Sequence, residues 1–216
     1  MALKQSEVSP KRKSQTWRMV ALGLWLVAGL VAAEPRTIVF FGDSLTAGFG
    51  VDPDDAYPAI IQRKLDDAKL PWRVVNAGLS GETTAGGLRR LDWVLRQPVD
   101  IFVLELGGND GLRGIPAETS RANLEAMIER IRSRYPRVKL VLAGMQLPTN
   151  LGADYTRQFA AMYPELAQKN HAALIPFLLE GVGGMASLNQ ADGIHPTAEG
   201  HRIVAETVWR ILQPLL

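Results

Sequence analysis

The 216-residue chain has no cysteine, 47% hydrophobic and 21% charged residues, 20 glycines and 13 prolines. That balance describes an ordinary globular protein of one or two domains and excludes wholesale disorder, and the lack of cysteine excludes disulfide scaffolds, thiolate zinc sites, iron–sulfur clusters and cysteine nucleophiles. The formal charge of +2 arises from 24 basic and 22 acidic residues, so the position of the basic excess decides whether an anionic partner is implied.

The first 33 residues carry five of those basic residues, Lys4, Lys11, Arg12, Lys13 and Arg18, against Glu7 alone, and then run uncharged over 19–33. A basic flank, a short apolar stretch and the small-residue ending Val31-Ala32-Ala33 predict a secretory leader cleaved after Ala33. Fifteen residues rise about 22 Å as a helix, short of a hydrocarbon core of roughly 30 Å. An uncleaved N-terminal anchor is the alternative. Removing the leader leaves 19 basic and 21 acidic residues, a charge of −2, and with it goes the support for a nucleic-acid partner. No cysteine stands before the cut to carry a lipoprotein anchor. The expected mature protein is a periplasmic or secreted monomer of residues 34–216.

From Thr37 onward, short apolar runs alternate with amphipathic ones about five times, the rhythm of a parallel sheet. Strands are predicted at 37–41, 72–76, 100–106, 138–145 and 172–177, rich in Val, Ile, Leu and Phe and suited to burial on both faces. Helices are predicted at 56–68, 83–97, 116–135, 155–170 and 197–212. In the third of these, Leu124, Met127, Ile128 and Ile131 fall on one face, opposite its charges. The expected fold is a three-layer α/β/α sandwich around a five-stranded, doubly wound parallel sheet. Its ligand crevice should lie at the carboxyl ends of the strands.

Four segments there can carry chemistry. Gly42-Asp43-Ser44-Leu45-Thr46-Ala47-Gly48 sets Ser44 at the mouth of the first strand, as a nucleophile if a base and oxyanion donors are near, or as part of a helix cap. Asn76-Ala77-Gly78-Leu79-Ser80-Gly81-Glu82 is a turn whose Gly81 N–H could face a developing negative charge. Leu106-Gly107-Gly108-Asn109-Asp110-Gly111, also a turn by composition, offers the Asn109 amide as a donor. In Asp192-Gly193-Ile194-His195-Pro196 the acid can fold back onto Nδ1 of His195 and leave Nε2 free to take a serine proton. His171 and His201 are expected to be structural. A metal site from Asp192, His195 and His201 would need a further ligand from far away.

The order Ser44, Gly81, Asn109, His195 resembles the four blocks of the SGNH hydrolases, the GDSL esterase and lipase family. The segment from Leu106 to Gly114 looks especially like the bacterial periplasmic thioesterase I, lysophospholipase L1 and arylesterase group. The resemblance implies strand order 2-1-3-4-5. It implies Ser44 as nucleophile, His195 as general base and acid, Asp192 as its orienter, and an oxyanion hole of the Ser44 and Gly81 N–H groups with the Asn109 amide. The implied activity is hydrolysis of carboxylic esters and thioesters through an acyl-enzyme, on a small-molecule acyl substrate, with no cofactor and no metal. A carbohydrate acetylesterase could use the same set, and a non-catalytic binding module could keep the same sheet. No Gly-x-Ser-x-Gly is present, against an α/β-hydrolase. Leu112 and Ile115, on the segment Gly111-Leu112-Arg113-Gly114-Ile115-Pro116, whose two glycines permit motion, are expected to cover an acyl chain. The resemblance likens that segment to a loop that moves on acyl binding, and a plain connection is the alternative.

Overall fold

The structure, a computed structural model, describes Met1 and residues 35–216. The expected leader, 1–33, lies outside the described residues apart from Met1. Five strands, β1 (Arg36–Gly42), β2 (Trp72–Gly78), β3 (Ile101–Glu105), β4 (Lys139–Ala143) and β5 (Ala173–Ile175), form one sheet. All pairings are parallel and the order is β2-β1-β3-β4-β5, as the resemblance implied. Among the described residues seven α-helices accompany the strands: α1 (Ser44–Ala47), α2 (Tyr57–Asp67), α3 (Thr84–Val94), α4 (Gly108–Leu112), α5 (Ala117–Arg134), α6 (Ala153–Lys169) and α7 (Ala198–Leu212).

Successive strand residues point to opposite faces, so a strand covered on both sides must be apolar throughout. Ile38, Val39, Phe40 and Phe41 are all fully buried for this reason. Phe40 meets Tyr57 of α2 edge to face, with ring centroids 5.4 Å apart, while Phe41 turns to the other face and packs on Phe102 at 5.6 Å. Helices α2 and α7 pack together on the first face, and α3, α5 and α6 follow one another on the second. The predicted strand at 172–177 is cut to Ala173–Ile175, because Pro176 has no N–H for the ladder.

The order reverses direction between β1 and β3, which opens a crevice at their carboxyl ends. The turn after β3 is more ordered than its glycine content suggests. The Asn109 segment, expected as a loop, is the helical turn α4. The Asp110 carboxylate holds it there by accepting from Thr84 N–H (2.8 Å), Thr84 Oγ1 (2.6 Å) and Ser120 Oγ (3.2 Å), which ties α4 to α3 and α5. Gly111 is needed for close approach, since a Cβ there would lie 2.2 Å from Leu147 Cδ2.

Candidate active site

Ser44 is the first residue of α1, set by the end of β1 and capped by Asp43, whose Oδ1 accepts from Leu45 N–H at 3.0 Å. Its side chain is nearly buried, and its Oγ lies 2.9 Å from Nε2 of His195. The other ring nitrogen, Nδ1, lies 2.6 Å from Asp192 Oδ2. Asp192 Oδ1 accepts the backbone N–H groups of Ile194 (2.9 Å) and His195 (3.0 Å), a turn that Gly193 permits at φ 71°. These three bonds hold the Asp192 carboxyl at about 2, the His195 N–H contributing most. An ionised Asp192 is an acceptor only, which places the ring proton on Nδ1 and leaves the Nε2 lone pair facing the serine.

The His195 loop is held from outside the triad by a residue that sequence reading missed. Gln190 donates its backbone N–H to His195 O (2.7 Å) and its side-chain amide to Phe49 O (2.7 Å) and Pro196 O (3.0 Å). It thereby joins the loop after α1 to the loop before α7 and sets the half-exposed Phe49 ring 4.7 Å from the imidazole. No signal in the sequence marks Gln190, whose partners are all main-chain oxygens distant in the chain or hidden in a turn.

Asn109, in the first turn of α4, donates its amide to Asp43 Oδ2 at 3.0 Å. Behind this pair stands Glu105, the last residue of β3 and fully buried. Its Oε2 accepts Asp43 N–H (3.1 Å) and Thr46 Oγ1 (2.7 Å), and Thr46 in turn meets Tyr57 OH at 2.8 Å. Burial raises the Asp43 carboxyl to about 6, against the lowering pull of Leu45 N–H and the Asn109 amide. Burial, then the neighbouring Asp43 charge, pushes Glu105 well above the usual carboxylate range. Sequence reading missed Glu105, although a carboxylate ending an otherwise apolar strand is a signal that could have found it.

Ser44, Asn109 and His195 line one cleft of about 580 Å³, whose remaining wall is largely apolar: Leu112, Leu147, Pro148, Phe177, Leu179 and Ile194. Gly81 and Ile115 are not among the residues lining it. Gly81 adopts φ 79° on the turn after β2, and its carbonyl accepts from Arg113 at 3.0 Å. That turn is fixed to the serine turn through Leu79 N–H to Gly42 O at 2.9 Å. Neither the Gly81 nor the Ser44 N–H has a hydrogen-bond partner among the described residues. Ile115 is half-buried, and its carbonyl accepts from Tyr155 OH at 2.6 Å.

His201 sits buried in α7, its Nδ1 accepting Tyr57 N–H at 3.3 Å, and burial lowers it to about 4. His171 is exposed at a left-handed turn, φ 46°. Among the described residues no three His, Cys, Asp or Glu side chains are grouped as metal ligands would be.

Residues 40–203 match the GDSL-like lipase/acylhydrolase family. The chain is 42% identical over 185 residues to esterase TesA of Pseudomonas aeruginosa, spanning 85% of this chain and 91% of the relative. It is 35% identical over 201 residues to thioesterase 1/protease 1/lysophospholipase L1 of Escherichia coli, spanning 93% and 94%. A crystal structure of TesA superposes with a TM-score of 0.79 at 43% identity, covering 84% of this chain and all of that one.

Proposed function

The chain belongs to the GDSL-like lipase/acylhydrolase family, and from that premise we infer a serine esterase that hydrolyses carboxylic esters and thioesters through an acyl-enzyme formed on Ser44. The observation that carries this reading is the unbroken relay from Asp192 Oδ2 to His195 Nδ1 (2.6 Å) and from His195 Nε2 to Ser44 Oγ (2.9 Å).

In the first step His195 Nε2 takes the Ser44 proton as Oγ attacks the substrate carbonyl. The negative charge that develops on the carbonyl oxygen is met by the free N–H groups of Ser44 and Gly81 and by the Asn109 amide. Donors fixed before the reaction stabilise this charge without reorganising, which is where most of the rate advantage of such sites lies. The tetrahedral species collapses, its C–O or C–S bond breaks, and the imidazolium gives its proton to the departing alcohol or thiol. Water, deprotonated by the same Nε2, then attacks the acyl-serine; the acyl C–Oγ bond breaks, the imidazolium returns its proton to Ser44 Oγ, and the acid is released. Asp192 stays ionised throughout and stabilises the imidazolium in each half-reaction. Protons and electron pairs balance without any metal or cofactor.

The apolar wall of the cleft supports acyl or aryl substrates over acetylated sugars, because a polyol would leave its hydroxyls unpaired there. Leu112 is read as one contact for the acyl chain. A phosphonate ester tests the whole assignment: it should add covalently to Ser44, and peptide mapping that locates the adduct on another residue would overturn it.

The leader reading belongs to the same proposal. The mature enzyme is taken to act in the periplasm or outside the cell as a monomer, after cleavage following Ala33. Among the described residues no helix is long and apolar enough to cross a membrane. Edman sequencing of the exported protein should begin at Glu34, and a membrane-retained form beginning at Met1 would replace the leader with an anchor.

A further inference from the structure

Glu105 is a fully buried acid whose two oxygens are treated unequally. Oε2 accepts from Asp43 N–H and from Thr46 Oγ1, whereas Oε1 has no hydrogen-bond partner. Thr46 has one hydroxyl proton and spends it on Oε2, so the proton between Thr46 and Tyr57 comes from Tyr57 OH. No donor is left over for Oε1. An ionised Glu105 would therefore carry charge on a buried oxygen that receives nothing, the costliest arrangement available to it. A protonated Oε1 needs an acceptor instead, and the Asp43 carboxyl is the candidate, because the same residue's N–H already meets Oε2 at 3.1 Å and the two acids act on one another.

We propose that Glu105 is a positioning residue of the esterase reaction: it stays protonated and donates from Oε1 to Asp43, leaving Asp43 as the one buried anion that aims the Asn109 amide into the cleft. Two carboxyl groups this close and this dry cannot both ionise, so one proton is shared between them. Asp43 then receives three donors, Leu45 N–H, the Asn109 amide and Glu105. With one Asn109 N–H fixed on Asp43, the amide cannot flip, and its second N–H is presented to the cleft that Asn109 lines. The other groups facing Glu105 are neutral hydroxyls: Thr46 from α1, Tyr57 from α2 and, at longer range, Tyr163 from α6. This inference rests on the reading of Asn109 as an oxyanion donor.

The test pairs infrared spectroscopy with kinetics. At pH 7 the difference spectrum of wild type minus Glu105→Gln should contain the C=O stretch of a protonated carboxyl group. Glu105→Gln, neutral and still a donor, should stay close to the wild-type kcat, while Glu105→Met should lose about 10²-fold in kcat with KM little changed, the size expected when an oxyanion donor is misaimed. Absence of the carboxyl band, or a Glu105→Gln enzyme as slow as Glu105→Met, would overturn the proposal. If Glu105→Met does not fold, the spectrum and the Gln variant still decide it. The spectrum is independent of which residue is acylated, so a phosphonate adduct away from Ser44 would sink the functional reading separately.

Discussion

Asn109 Nδ2 lies 3.0 Å from Asp43 Oδ2, so the residue immediately before the serine also holds the amide that shares its cleft. Nucleophile and oxyanion donor are thus referenced to one side chain, although they come from the ends of two different strands.

Asn109→Ala should lower kcat by about 10² to 10³ and leave KM nearly unchanged, the usual result of deleting one oxyanion donor. Steady-state kinetics on a p-nitrophenyl ester measure both. A raised KM at normal kcat would assign the amide to ground-state binding.

Ser44→Ala should abolish turnover while preserving the fold, because it removes one hydroxyl from a nearly buried site and leaves the α1 cap on Asp43 intact. Circular dichroism should match wild type. Retention of the wild-type kcat would refute the nucleophile assignment.

Asp192→Asn should cost up to about 10⁴ in kcat, since an amide can donate to Nδ1 and so favour the tautomer that protonates Nε2. Its effect on stability should be small, because the Asp192 side chain is 38% exposed and its bonds compete with water. Denaturant unfolding beside kinetics separates the two effects.

Leu112→Ala should reduce kcat/KM for long-chain esters relative to acetate by about 1 to 3 kcal/mol, the worth of a lost apolar contact. Ile115→Ala should change that ratio less, since Ile115 does not line the cleft and is anchored through Tyr155. A series from acetate to palmitate checks both. A larger effect at Ile115 would mean that this segment rearranges when substrate binds.

The Asp43 contribution to stability should grow as the pH falls from about 7 to 4, opposed by His201, whose burial costs stability over the same range. The Asp43 carboxyl stands at about 6 in the folded protein against an ordinary 3.8, so the folded state binds its proton more tightly. The stabilisation is complete below the unfolded value and is lost as pH rises through the folded one. Glu105 acts in the same direction. Comparing melting temperatures of wild type and Asp43→Asn across this range isolates the effect, and parallel curves would contradict it.

Much of this was legible in the residues themselves. Val, Ile and Phe runs without polar alternation marked strands buried on both faces, and Ile38 to Phe41 are so buried. Strand ends were less legible, as at β5, where Pro176 stops a run whose apolar character continues. The helical turn α4 was hidden because Gly107, Gly108 and Gly111 depress helix propensity, and its support comes from Asp110 reaching Thr84 and Ser120 on other elements. The Ser44, Asn109, Asp192 and His195 segments stood out because each places polar residues where a parallel sheet ends. Gln190 and the Phe49 ring could not be found so, since their roles depend on main-chain oxygens and a ring contact that only the folded loops create.

The bond between Ser44 and His195 closes a separation of 151 positions, and this gives the enzyme a built-in chronology. The serine turn follows the first strand made, whereas the base sits in the last loop before α7. Contacts so distant in sequence carry a large closure cost and form late. A chain emerging from its N-terminus therefore completes its sheet while still catalytically silent. Refolding from denaturant should restore the far-ultraviolet circular dichroism first and turnover afterwards, so the lag between them times the docking of the C-terminal helix.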